Sequence, residues 1–132
     1  TRKESSAASD VYKRQVIHMG LFGGSKTDNT SQFERYLIEG EVIEAVYRLV
    51  LDEICFTNKR IIFIDKEALS TKKQLITLPY HSIYYFGVEK GGVFEFDNEI
   101  KLYTKGTHFS IEFSRGTDIL EVEKLLASHI CK

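Results

Sequence analysis

The chain has 132 residues, 42% apolar and 28% charged, with a formal net charge of −1 and two cysteines. That length and composition describe one soluble globular domain with enough apolar mass to bury a core without a metal or disulfide staple. The charge excludes a strongly basic domain of the kind that binds nucleic acid. Residues 1–18 hold four basic and two acidic side chains, which leaves fourteen basic and seventeen acidic in the rest. Cys55 and Cys131 belong to no CxxC pair and read as free thiols in a reducing cytoplasm. No apolar run approaches the ~20 residues of a membrane helix, and the first thirty residues show no secretory h-region.

In chain order, residues 1–18 read as a disordered leader that is polar and without periodicity. Residues 1–15 resemble read-through translation of adapter DNA, which predicts a natural start at Met19 and one domain over residues 19–132. The next stretch, MGLFGGSKTDNT, is glycine-rich and reads as flexible. It lacks a myristoylation signal, because Gly24 stands where that motif needs Ser or Thr. Phe33, Tyr36 and Leu37 at i, i+3, i+4 then predict a short helix over about residues 31–39, capped by Thr30 or Ser31 and stopped by Gly40.

Beyond Gly40 the period changes to two. Strands are predicted over Val42–Val50, Glu53–Thr57 and Arg60–Asp65, with Asn58-Lys59 as a hairpin corner where Asn can adopt positive φ. Further strands follow at Gln74–Leu78, His81–Glu89, Glu99–Thr104 and His108–Ser114, the last pair turning across Lys105-Gly106-Thr107. A closing amphipathic helix is predicted over about residues 117–131. Thr117 or Asp118 caps it, Glu121 stands three residues after Asp118, and Ile119, Val122, Leu125, Leu126 and Ile130 form its apolar stripe. The fold class is thus mainly β with a C-terminal α element. Seven strands in two orthogonal antiparallel sheets form a partly open barrel plugged by the helix, with a β-sandwich as the weaker alternative.

The stretches LIEGEVIEAVYRLVLDEICFTNKRIIFIDK, STKKQLITLPYHSIYYFGVE and FDNEIKLYTKG…FSIEFSRGTDILEVEKLLA resemble a bacterial pleckstrin-homology-like (PH-like) family, over about Met19 to Ala127. The resemblance implies a cytoplasmic, non-enzymatic domain. It also implies assembly into cyclic homo-oligomers, typically five-fold, that bind another protein, of unidentified kind, through a polar surface where strands of neighbouring protomers meet.

Chemistry finds little foothold in the residues themselves. Of His18, His81, His108 and His129 only His81 and His108 lie on predicted strands, and neither has a Ser, Cys or carboxylate partner at telling spacing, so no catalytic or metal site is assigned. Cys55 lies between Ile54 and Phe56, where a packing thiol is expected. The carboxylates Asp52, Glu53, Asp97 and Glu99 fall at turns and strand starts, and no GxxxxGK[ST] or GxGxxG loop exists to hold a phosphate cofactor. The surface contact candidates are Lys59 and Arg60, at a hairpin corner open to protein or subunit contact, and Lys72 and Lys73. The second pair carries the alternative reading of a peripheral module on anionic membrane lipid, although the junction Arg48–Glu53 offers no basic cradle. A small-ligand carrier using the barrel mouth is a third possibility, and nucleic acid is not expected as a partner.

Overall fold

Alternating apolar and polar residues build two facing sheets in the computed structural model, which describes residues 16–19, 24–49, 52–66, 73–91, 97–114 and 116–132. In chain order the elements are β1 (Val16–Met19), β2 (Gly24–Thr27), α1 (Ser31–Glu34), β3 (Ile43–Leu49), β4 (Asp52–Thr57), β5 (Arg60–Lys66) and β6 (Lys73–Pro79). A single 3₁₀ turn (Tyr80–Ser82) follows, then β7 (Tyr85–Glu89), β8 (Asp97–Tyr103), β9 (His108–Ser114) and α2 (Ile119–Ile130). One sheet runs β2-β3-β4-β5-β6 and is antiparallel throughout. The other runs β1-β9-β8-β7 and is antiparallel except that β1 lies parallel to β9. The two do not close into a barrel, so β6 and β7 remain edges joined by the 3₁₀ turn.

All six residues of β4 are buried because both faces of its sheet are covered. Tyr47, Ile54, Phe56, Ile61 and Phe63 face the second sheet, meeting Phe109, Phe113 and Leu126. Tyr47 sits edge-on to both Phe56 and Phe113, and Phe63 stacks on Phe109 at 5.4 Å. The intervening residues Val46, Cys55, Ile62 and Ile64 form a smaller core on the other face, covered by Phe33 of α1. The unbroken run Ile61-Ile62-Phe63-Ile64 therefore feeds two cores by turns.

Helix α2 plugs the open end as the apolar stripe predicts. Ile119, Val122 and Leu126 are buried, and the Asp118 carboxylate accepts from the Glu121 N–H at 3.3 Å. Its last turn is tied to the sheet by His129, which stacks on Tyr80 and hydrogen-bonds Glu44 at 2.5 Å. Near its start, Lys26 of β2 pairs with Glu121.

Several expectations change. Among the described residues nine strands stand where seven are predicted, because β1 and β2 join the sheets as edges through backbone pairing. Neither could announce itself: GSKT has no apolar alternation, and VIHM spans only four residues. Residues 1–15 of the predicted leader lie outside the described residues, while residues 16–18 belong to β1. The strand expected over His81–Glu89 begins only at Tyr85, its first residues being taken into the 3₁₀ turn after Pro79. The helix expected over residues 31–39 ends at Glu34, for a reason given below.

Burial separates the two faces of α2 experimentally. Leu126→Ala should lower unfolding free energy by about 2–5 kcal/mol in urea titrations, while Leu120→Ala, at a position 53% exposed, should stay within about 0.5 kcal/mol. Equal losses from the two changes would contradict this packing.

Candidate functional site

Among the described residues two arrangements concentrate the polar chemistry. The first is a buried ion pair between Glu41, just before β3, and Arg60, at the start of β5. Arg60 Nε and Nη2 donate to the two Glu41 oxygens at 2.9 and 3.0 Å, a bidentate fork on a carboxylate with no exposed side-chain surface. Nη2 also donates to the Tyr36 carbonyl at 2.7 Å, and Nη1 donates to Thr77 Oγ1 at 3.0 Å. Glu41 further accepts from Thr57 Oγ1 at 2.6 Å and from the Ile38 N–H at 3.0 Å.

This clamp shapes its surroundings. Tyr36 gives its carbonyl to Arg60 and Ile38 gives its N–H to Glu41, so neither serves a continuing helix, and α1 stops after one turn. Gly40, at φ +79°, reverses the chain there, and a side chain at that position would be strained. The β4–β5 hairpin is fastened to the same segment by Asn58, whose Oδ1 accepts from the Val42 N–H at 2.7 Å and whose Nδ2 donates to the Gly40 carbonyl at 3.0 Å. Asn58 does not take the positive φ expected of it. Among the described residues only glycines do, and Thr57 Oγ1 organises the turn by accepting from the N–H groups of Lys59 and Arg60.

Burial by itself would raise the Glu41 pKa. The hydrogen bonds from Arg60, Thr57 and Ile38, with the guanidinium charge, outweigh it and hold the carboxyl at about 2, below its ordinary 4.5. Burial and the nearby Glu41 push the Cys55 thiol up to about 12, so it packs as a neutral group and not as a nucleophile.

The second arrangement is a cleft of about 600 Å³ where the two sheets part. Leu78, Pro79 and Phe109 give it an apolar floor. Thr77 lines it from β6, His81 and Ser82 from the 3₁₀ turn, Tyr84 from the link to β7, and Thr104, Lys105 and Thr107 from the β8–β9 hairpin. Gly106, at φ +80°, lets that hairpin turn tightly, with Thr104 N–H donating to the Thr107 carbonyl at 2.9 Å. Beside the cleft, Tyr84 and Tyr85 are 63% and 60% exposed, and Tyr85 stacks on Tyr103, which stacks on His108. Thr77 links the two arrangements, since it receives Arg60 and lines the cleft.

The sequence-predicted contact residues separate. Lys59 is exposed at the hairpin corner, but Arg60 turns inward and spends four of its five N–H donors inside the protein. Lys72 lies outside the described residues, and Lys73 opens β6 opposite Lys66. Arg48 lies 3.7 Å from Glu53. Among the described residues no group of three or more His, Cys, Asp or Glu is placed to hold a metal, and no helix is long and apolar enough to cross a membrane. Sequence reasoning missed Glu41 and the cleft. The opposite charges of Glu41 and Arg60 are legible, but their nineteen-residue separation hides the contact.

The family model described as bacterial PH domain matches residues 18–130. The uncharacterized protein YozO of Bacillus subtilis (strain 168) is 42% identical over 113 residues, covering 86% of this chain and 99% of its own length. Among solved structures, a DUF1696-family protein with a pleckstrin-homology domain from Shewanella loihica PV-4 superposes with a TM-score of 0.73 at 29% identity, covering 82% of this chain and 97% of that one. A pleckstrin homology domain from Shewanella amazonensis SB2B gives 0.65 at 32% identity, covering 78% and 96%.

The clamp predicts a pH signature of stability. Glu41 ionises near 2 when folded and near 4.5 when unfolded, so between those values the unfolded chain binds more protons. Its contribution, about 3 kcal/mol, is full above pH 4.5 and lost as pH falls through 2. In denaturant titrations the gap between wild type and Glu41→Gln should shrink by that amount from pH 6 to pH 2. A gap independent of pH would contradict it.

Proposed function

The chain belongs to the bacterial PH domain family, and on that premise we propose that it is a non-catalytic cytoplasmic interaction module. It assembles through strand edges into a cyclic homo-oligomer and presents the cleft face to another protein. The observation that carries this reading is the open junction between the sheets. The edges β6 and β7 flank a polar-walled cleft, with Tyr84 and Tyr85 exposed beside it. An unpaired edge is a template for a strand from another chain, and exposed tyrosines supply contact area at low conformational cost. A non-catalytic role is supported by the Cys55 thiol, which is buried and held neutral, and by the use of Arg60 and Glu41 on each other.

Light scattering behind a sizing column should give a mass near a small multiple of the monomer. Leu75→Glu, at a 40% exposed position on β6, and Gly87→Pro on β7, where an added Cβ meets nothing within 4 Å, disturb the two edges separately. At least one should lower that mass while circular dichroism stays native. A monomeric wild type would contradict the assembly, and an unchanged mass in both variants would contradict the strand-edge route.

A further inference from the structure

The cleft walls present a cation and hydroxyl groups, and among the described residues no Asp or Glu lines them. Lys105 supplies an ammonium from the β8–β9 hairpin. Thr77 is the better-defined donor. Its oxygen already accepts from Arg60 Nη1, so its own hydrogen is left to donate. Ser82 adds a hydroxyl from the 3₁₀ turn. Thr104 has the opposite role: its hydroxyl donates to the Thr107 carbonyl at 2.7 Å, which stiffens the hairpin carrying Lys105. The charge of Arg60 is already compensated by Glu41, so Lys105 sets the sign of the site.

We propose that this cleft receives an anionic oxygen group, a carboxylate or a phosphate, carried on an extended segment of a protein partner. The inference rests on the reading of the chain as an interaction module and gives that partner its chemistry. Donors on two facing walls with no acceptor charge between them suit a group that only accepts, and an N⁺–H···O⁻ contact is stronger than a neutral one. A protein segment fits better than a membrane surface. One lysine attaches a protein to a lipid surface only marginally. By contrast, whichever of the edges β6 and β7 the assembly leaves open offers backbone pairing that a peptide can use and a lipid headgroup cannot.

The test is an amide-resolved NMR titration of the full chain with three short synthetic peptides identical except for a central glutamate, phosphoserine or lysine. The glutamate and phosphoserine peptides should move the amides of Thr77, Ser82, Thr104 and Thr107 saturably, and the lysine peptide should not. Lys105→Glu should weaken binding about tenfold or more, Lys105→Gln and Thr77→Val about threefold, and Lys124→Glu, on the exposed face of α2, not at all. Equal response to all three peptides, or none, overturns the assignment. So do cleft shifts produced by phosphatidylglycerol-containing vesicles but not by the peptides. Mass measured on the same samples separates this inference from the assembly. An oligomer with a silent cleft loses only the anion site, and a monomer with a responsive cleft loses only the ring.

Discussion

A carboxylate with no exposed surface must be paired or must lose its charge, and Glu41 is paired on both oxygens by one guanidinium. Much of the molecule follows from satisfying that requirement. Arg60 has to leave the hairpin corner and lie beneath residues 36–42, which draws the Tyr36 carbonyl and the Ile38 N–H out of helical pairing. The shortened α1 then sets Phe33 onto Val46, Cys55 and Ile62, closing the smaller core. Thr57 and Asn58 complete the tie between hairpin and loop, and Tyr80 donates to the Thr57 carbonyl at 2.6 Å, joining the 3₁₀ turn to the same centre.

That centre reaches the cleft at two points. Arg60 holds Thr77 on one wall, and Tyr80, anchored at Thr57 and stacked on His129, precedes His81 and Ser82 in the turn that forms another. The β6 and 3₁₀-turn side of the cleft is therefore positioned from the interior, while the β8–β9 hairpin forms the facing side. Such support suits a recognition site, which needs its donors fixed before a partner arrives. The open junction between the sheets supplies the room, and the unpaired edges supply backbone groups that a partner or a second copy can pair.

Local patterns in the sequence were faithful where local physics decides. The stripe Ile119, Val122, Leu126 with Asp118 before it specified α2 and its cap, and the alternation of Phe109, Ile111 and Phe113 specified β9. The run from Ile61 to Ile64 reads as a strand, although its burial on both faces depends on Phe33, far away in sequence. The short edges β1 and β2 were illegible because backbone pairing, not side-chain pattern, places them. The helix expected to reach Glu39 fits its own periodicity, but long-range hydrogen bonds to Arg60 and Glu41 override that preference. Of the candidate contacts, Lys59 lies at the corner as expected. Arg60 turns from a surface residue into the keystone, because charge type is visible in a sequence and the pairing of distant charges is not.

The central claim is that Glu41 and Arg60 act as one unit, and a double-mutant cycle with Glu41→Gln and Arg60→Met tests it most directly. Each single change leaves a buried polar group without its partner, so each should cost about 3–5 kcal/mol, while the double variant should cost clearly less than their sum. A coupling energy of about 2 kcal/mol or more at neutral pH is the predicted result. Additive losses, with coupling below about 0.5 kcal/mol, would contradict the clamp as the organising contact of the fold.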